Sequence, residues 1–238
     1  MAILFDASST GDNSGIDTTL TVSHTTTGSD LVLVACVFLP SGSSVSSILY
    51  NGASMGAAIW NSNIVGIDAR STGFLLLNPA SGAHNIDITI TGGVDPYGML
   101  AMSFTGVNQS TPTRTIPTPV TDEGGVDSTP AITIAASVAD DMTYDFVVGY
   151  QGTLTPDGGQ TQPTPGEDEL VSVYHMAISY KIAVGANTVF GWTQGGPSVG
   201  NWIHAAVSLI PAVGATQAQI WPSIQQGILN PMIGRRYV

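Results

Sequence analysis

The residues of this chain that could do chemistry are four histidines, three acid clusters and one cysteine. His24, His84, His175 and His204 are scattered, and no H-x-H or H-E-x-x-H spacing brings two imidazoles onto one metal. His24, His175 and His204 fall within or at the ends of stretches that read as strands. They are therefore expected to be structural histidines satisfied by hydrogen bonds rather than ligands. His204 and Trp202 form a weaker candidate, a small polar–aromatic pair. The acids gather at Asp122-Glu123, at Asp140-Asp141 with Asp145, and at Glu167-Asp168-Glu169. Paired carboxylates can cleave glycosides when two of them converge across a cleft. Glu167-Asp168-Glu169 lacks the alternate spacing that would aim them at one cleft from a strand, so a solvated acidic loop is the expectation. Asp12-Asn13-Ser14-Gly15 with Asp17 could hold calcium weakly, but the EF-hand pattern is absent and a turn explains it. No phosphate-cradling Gly-Lys loop or C-x-x-C is present. These residues point away from an enzyme, with no catalytic set, metal or cofactor expected. A hydrolase on the same scaffold is the least favoured of three functional readings.

Cys36 sits inside the apolar run Leu31–Leu39, where a thiol is buried and inert, and being alone it cannot form an internal disulfide. That run reads as a core strand covered on both faces: it has no charge and no helical period, and Pro40 and Gly42 close it. Elsewhere the pattern alternates. Ile16, Thr18, Leu20 and Val22 interleave with polar residues, as do Ile86, Ile88 and Ile90, which marks half-buried strands. Asn51-Gly52 is a type I′ turn signal, predicting a hairpin from Val45–Tyr50 into Ala53–Trp60. Further strands are expected at Gly73–Asn78, Met99–Val107, Ala131–Val138, Met142–Tyr150, Leu170–Ala183 (bulged), Thr188–Thr193 and Trp202–Ile210. Residues 108–128 read as a long crossover pinned by Ile116 and Val120, and Gly152–Glu169 as a mobile surface excursion.

Composition agrees with β structure: 28 Gly, 14 Pro and only 9% charged residues leave wet faces to Thr, Ser and Asn. The net charge of −12 repels phosphate backbones, which argues against nucleic-acid binding. The N-terminus has no basic region ahead of a short apolar stretch, so no signal peptide is expected, and no segment is long enough to span a membrane.

A weak internal repeat runs through the chain. Gly82 and Gly185 start similar stretches 103 residues apart, as do Gly92 and Gly195, and Ser103 of Ala-Met-Ser-Phe matches Ser208 of Ala-Val-Ser-Leu at 105. Leu20-Thr21-Val22 likewise matches Ile132-Thr133-Ile134. The expected fold is all-β: a two-sheet, jelly-roll-like β-sandwich built from two similar halves. Its expected boundaries are an N-terminal segment 1–15, a sandwich 16–211 and a C-terminal extended arm 212–238.

The order LVLVACVFLP…VSSILYNGASM…GFLLLNPASGAHNIDITITGG…AMSFTGVNQSTP…ITIAASVADDMTYDFVVG…HAAVSLIPA resembles β-sandwich modules of tailed-phage virion proteins and of bacterial extracellular proteins. The most specific parts are Leu75–Gly82 with His84, and Ser103–Pro112. The resemblance covers roughly residues 16–211 and implies a concanavalin- or jelly-roll-like sandwich. It carries no catalytic residues across.

Past Pro211 the character changes. No acid follows Glu169, and two of the five bases are Arg235 and Arg236. Ile220, Trp221, Ile224, Ile228, Leu229, Met232, Ile233 and Tyr237 are too apolar for a solvated tail and need burial. Trp221, Ile224 and Ile228 have helical spacing behind Pro222, while Gly227, Pro231 and Gly234 break anything longer. Extended, residues 212–238 would reach roughly 90 Å at about 3.3 Å each. The arm either folds back over its own sandwich or docks on a neighbour. The expectation is a structural virion protein made in the host cytoplasm, a bacteriophage capsid decoration or accessory protein. Its partners would be the major capsid protein or other virion subunits and its own copies, a trimer suiting a lattice three-fold. The arm residues just named, with Arg235 and Arg236, are the candidate partner-binding set. The alternative is a lectin-type carbohydrate-binding module using Trp60, Trp192 and Trp202.

Overall fold

Two kinds of strand build the molecule. Strands apolar at every position lie in sheets covered on both faces, and strands apolar at every second position lie in sheets with one wet face. The structure, a computed structural model, describes residues 1–15, 17–40, 42–64, 69–92, 96–122, 127–170, 174–196 and 200–213, and among them it is all-β with no helix. The first half contains β1 (Leu4–Asn13), β2 (Thr19–Thr26), β3 (Val32–Pro40), β4 (Ser44–Tyr50), β5 (Ala53–Ser54), β6 (Trp60–Ile64), β7 (Ala69–Leu77), β8 (Gly82–Thr91) and β9 (Tyr97–Thr105). The second contains β10 (Thr113–Thr115), β11 (Val120–Asp122), β12 (Ala131–Ala135), β13 (Met142–Tyr150), β14 (Thr153–Pro156), β15 (Glu167–Leu170), β16 (Tyr174–Ile182), β17 (Asn187–Gly195) and β18 (Trp202–Leu209).

The repeat seen in sequence is a repeat of topology. In the first half a sheet ordered β1-β9-β3-β7-β6 faces one ordered β2-β8-β4-β5. In the second, β10 and β11 together take the place of β1 in a sheet ordered β10-β18-β13-β16-β15, facing one ordered β12-β17-β14. Each half therefore makes its own two-sheet sandwich, where the repeat had been read as two halves of one. The physical reason lies in β3, β9, β13 and β18, which are buried at nearly every position. A strand with two apolar faces needs a layer on each side, and one two-sheet sandwich offers only one.

The two large sheets meet face to face and form the central core. Val32, Val34, Cys36 and Phe38 from β3 pack there with Tyr144, Phe146 and Val148 from β13. Phe5 stacks on Tyr180 at 4.7 Å between centroids, and Phe104 on Tyr144 at 5.9 Å. The intervening residues of β3 (Leu33, Ala35, Val37, Leu39) face outward against Ile48, Ile86, Ile88 and Ile90 of the small sheet. Cys36 is buried as expected, and burial raises its thiol pKa well above the ordinary range.

Several local expectations are met. Asn51 (φ 49°) and Gly52 (φ 77°) turn the chain so that Tyr50 pairs with Ala53, both in the region a type I′ turn requires, but the returning strand stops at Ser54 and Trp60 opens β6 in the other sheet. Three readings change. Residues 1–15, taken as a segment ahead of the sandwich, supply β1, which pairs along β9 from Leu4↔Thr105 to Asn13↔Tyr97. The stretch read as one bulged strand over 170–183 is part of a hairpin, β15 pairing with β16 from Glu167↔Ala177 to Leu170↔Tyr174. The 152–169 excursion is anchored: Thr161 exchanges both backbone hydrogen bonds with Tyr180, each 2.9 Å.

Candidate functional site

All ten arm residues proposed from sequence (Ile220, Trp221, Ile224, Ile228, Leu229, Met232, Ile233, Arg235, Arg236 and Tyr237) lie outside the described residues. The chain is described up to residue 213. There the Ala212 amide donates to the Gly106 carbonyl at 2.7 Å and Val107 bridges to Pro211.

Four of the titratable candidates, His24, Asp141, Asp145 and His204, are buried, and they fall into networks in both halves. In the first, Ser103 Oγ donates to Asp6 Oδ2 at 2.8 Å, so its oxygen must accept from His24 Nε2 at 3.0 Å. His24 is thereby the Nε2–H tautomer, and its Nδ1 accepts from Ser9 Oγ at 2.9 Å. Burial pushes the His24 pKa down to about 4, against a smaller upward pull from Asp6. It is a neutral core histidine, as its place on a strand led us to expect.

In the second half the acid cluster Asp140-Asp141-Asp145 is split apart by the fold. Burial alone would raise the Asp141 pKa. Hydrogen bonds from Arg114 (2.6 and 2.9 Å), the Val138 amide and Ser208 (2.9 Å) outweigh it and hold the carboxyl below its ordinary range. Asp145 is fully buried on β13 and accepts four hydrogen bonds: His204 Nε2 at 2.7 Å, Trp192 Nε1 at 2.6 Å, and Ser179 N and Oγ at 3.0 and 2.5 Å. His204 Nδ1 has no partner. Serine, aspartate and histidine meet here with the carboxylate in the middle, whereas a nucleophilic relay needs the imidazole there to take the hydroxyl proton. What this cluster does is tie β13, β16, β17 and β18 together across two sheets. His204 pairs with Trp192 rather than with Trp202, whose Nε1 donates to the Asp127 carbonyl at 3.0 Å. Among the described residues no three His, Cys, Asp or Glu side chains converge on a metal position.

A feature the sequence reading missed lies at the open side of the first sandwich, where the chain crosses from β5 to β6. A cleft of about 300 Å³ opens there between the edges of the two sheets. Its lining includes the polar residues Ser46, Ser47, Ser54, Asn61 and Thr72, the apolar Val45, Ile48 and Phe74, and Arg70. Among the described residues no carboxylate lines it. Arg70 Nη1 donates to the Ser43 carbonyl at 2.9 Å, and its Nε is buried without a partner. The one sequence signal was Arg70 itself, a basic residue in a chain with five.

Strand pairing gives the equivalent place in the second half. Ala35 pairs with Phe74 as Asp145 pairs with Ser179, and Asn61 pairs with Thr72 as Glu167 pairs with Ala177. There the crossing chain is longer and reaches in. Gln160 Oε1 accepts from the Gly191 amide at 3.0 Å while its Nε2 donates to Ser179 Oγ at 3.2 Å, bridging the two sheets. Gln162 Nε2 donates to Glu167 Oε1 at 2.7 Å. One sandwich edge is sealed from within and the other is open. No protein family, curated protein or solved structure matches the chain.

Proposed function

We propose that the protein is a structural component of a virus particle, a phage capsid decoration or other accessory protein, holding to neighbouring subunits through apolar surface and the segment 212–238. The observation that carries this reading is where that segment leaves the folded body. β18 ends at Leu209, and the next residues are laid along the connection between the halves: Asn108 N donates to Ile210 O at 2.9 Å and Ala212 N to Gly106 O at 2.7 Å. The chain is held there by its backbone, with acid-free, apolar sequence still to come. Each large apolar side chain buried on a partner would contribute about 1.5–3 kcal/mol. Trp221 and Tyr237 are the anchors, and Arg235 and Arg236 meet acidic partners or the acidic body of a sister copy. The resemblance to tailed-phage virion modules supports the same reading.

The alternative of a lectin-type module loses its starting point. Trp60, Trp192 and Trp202 are 6%, 1% and 4% exposed, so their rings offer no face for a sugar to stack on. Deleting 212–238 should abolish co-sedimentation with phage particles while leaving the circular dichroism of the β body unchanged. A truncated chain that still binds particles would overturn the reading.

A further inference from the structure

We propose that the cleft beside Arg70 is a binding site for an acidic saccharide unit, a pyranose ring bearing a carboxylate. This goes beyond the adhesive role and uses none of the arm. The chain as a whole carries a net charge of −12 and repels anions. An arginine in a concavity lined, among the described residues, by no acid reverses that locally. Arg70 has one nitrogen committed to the Ser43 carbonyl, and its Nε is buried and unpaired. A carboxylate in the cleft would meet the guanidinium charge in a charge-assisted hydrogen bond.

The rest of the cleft selects among carboxylates. The lining brings hydroxyl and amide residues, Ser47, Thr72 and Asn61, together with the apolar Ile48 and Phe74. A pyranose has that same division between a rim of hydroxyls and an apolar ring face. The volume of about 300 Å³ is at the small end for ligand sites and suits a single ring. Inorganic phosphate fits less well, because one cation without a nest of backbone amides leaves most of its oxygens unmet. The second half shows what this edge accepts: Gln160 occupies the equivalent place with an acceptor and a donor, one to each sheet. A hydroxylated anion would make the same bridge in the first half, with Arg70 as the charged donor.

The test is titration calorimetry of the full chain with galacturonate and glucuronate, with galactose, glucose, acetate and inorganic phosphate as comparison probes. The expected result is saturable binding of a uronate, with the neutral sugar and acetate each at least ~10-fold weaker, a loss of about 1.4 kcal/mol or more. Arg70→Gln should abolish uronate binding by removing the charge. Ala57→Trp should abolish it by filling the cleft from an exposed position that folding does not depend on. Three results would each overturn the proposal: no saturable uronate binding, uronate binding that survives both variants, or phosphate binding as tight as uronate.

Discussion

The two halves share one topology and differ most at a single place, the layer between large and small sheets beside the crossing chain. In the first half the centre of that layer is apolar and its edge is open. Ala35 sits between Phe74 and Ala101, and the cleft lies alongside. In the second half the same register holds Asp145 between Ser179 and Ala206, with His204 and Trp192 on the carboxylate and Gln160 closing the edge. The backbone pattern tolerates either solution. A buried carboxylate is stable only if every one of its donors is supplied, whereas an apolar centre asks for none.

The comparison can be broken most severely by moving the acid without its partners. Ala35→Asp would place a carboxylate at a position with 0% exposure and no donors, at a cost above about 5 kcal/mol. The variant should be insoluble, or unfolded by circular dichroism, at room temperature. The converse, Asp145→Ala, leaves His204, Trp192 and Ser179 unpaired and should cost about 3–5 kcal/mol, read as a lower urea midpoint with unchanged slope.

The pH response sharpens the contrast from the first half. His24 titrates at about 4 when folded and near 6.5 when unfolded, so the unfolded chain binds the extra proton between those values. Stability should be full above pH 6.5 and fall by about 3 kcal/mol as the pH drops to 4, a decline that His24→Gln removes. Asp141 acts in the same direction at lower pH. Its depressed folded pKa stabilises the native state above the ordinary carboxylate range, and that contribution is lost as the pH falls through the folded value. The smallest effect is expected at the sealed edge. Gln160→Ala removes two hydrogen bonds for about 1–2 kcal/mol, and hydrogen exchange at the Gly191 amide should speed up, since its acceptor is gone.

What could be read from sequence follows from the range over which each feature is encoded. The Leu31–Leu39 run, the Ile86-Ile88-Ile90 alternation and the Asn51-Gly52 turn are local patterns, and each is present as read. The repeat spacing was legible too, because equal strand and turn lengths carry it. β1 was not, since LFDASSTGDN has no apolar period and is held by pairing to β9. The Asp145 cluster was invisible for another reason: its partners lie 34, 47 and 59 residues away and meet only when two sheets stack. In sequence, Asp145 groups with Asp140 and Asp141, and nothing local points to Ser179, Trp192 or His204. The Arg70 cleft is a gap between strand edges, and no spacing of residue types encodes a gap.

The face-to-face contact of the two large sheets has a consequence for how the halves could come to differ. Had they been separate chains meeting through that face, the pair would be an isologous dimer, and every substitution would appear on both sides at once. An Asp145 network could not then be acquired in one copy while the other kept Ala35. Joining the copies in a single chain lifts that symmetry. One sandwich could become a sealed brace and the other keep an open edge, while the shared face, Phe38 to Phe146, still demands that the two be made together.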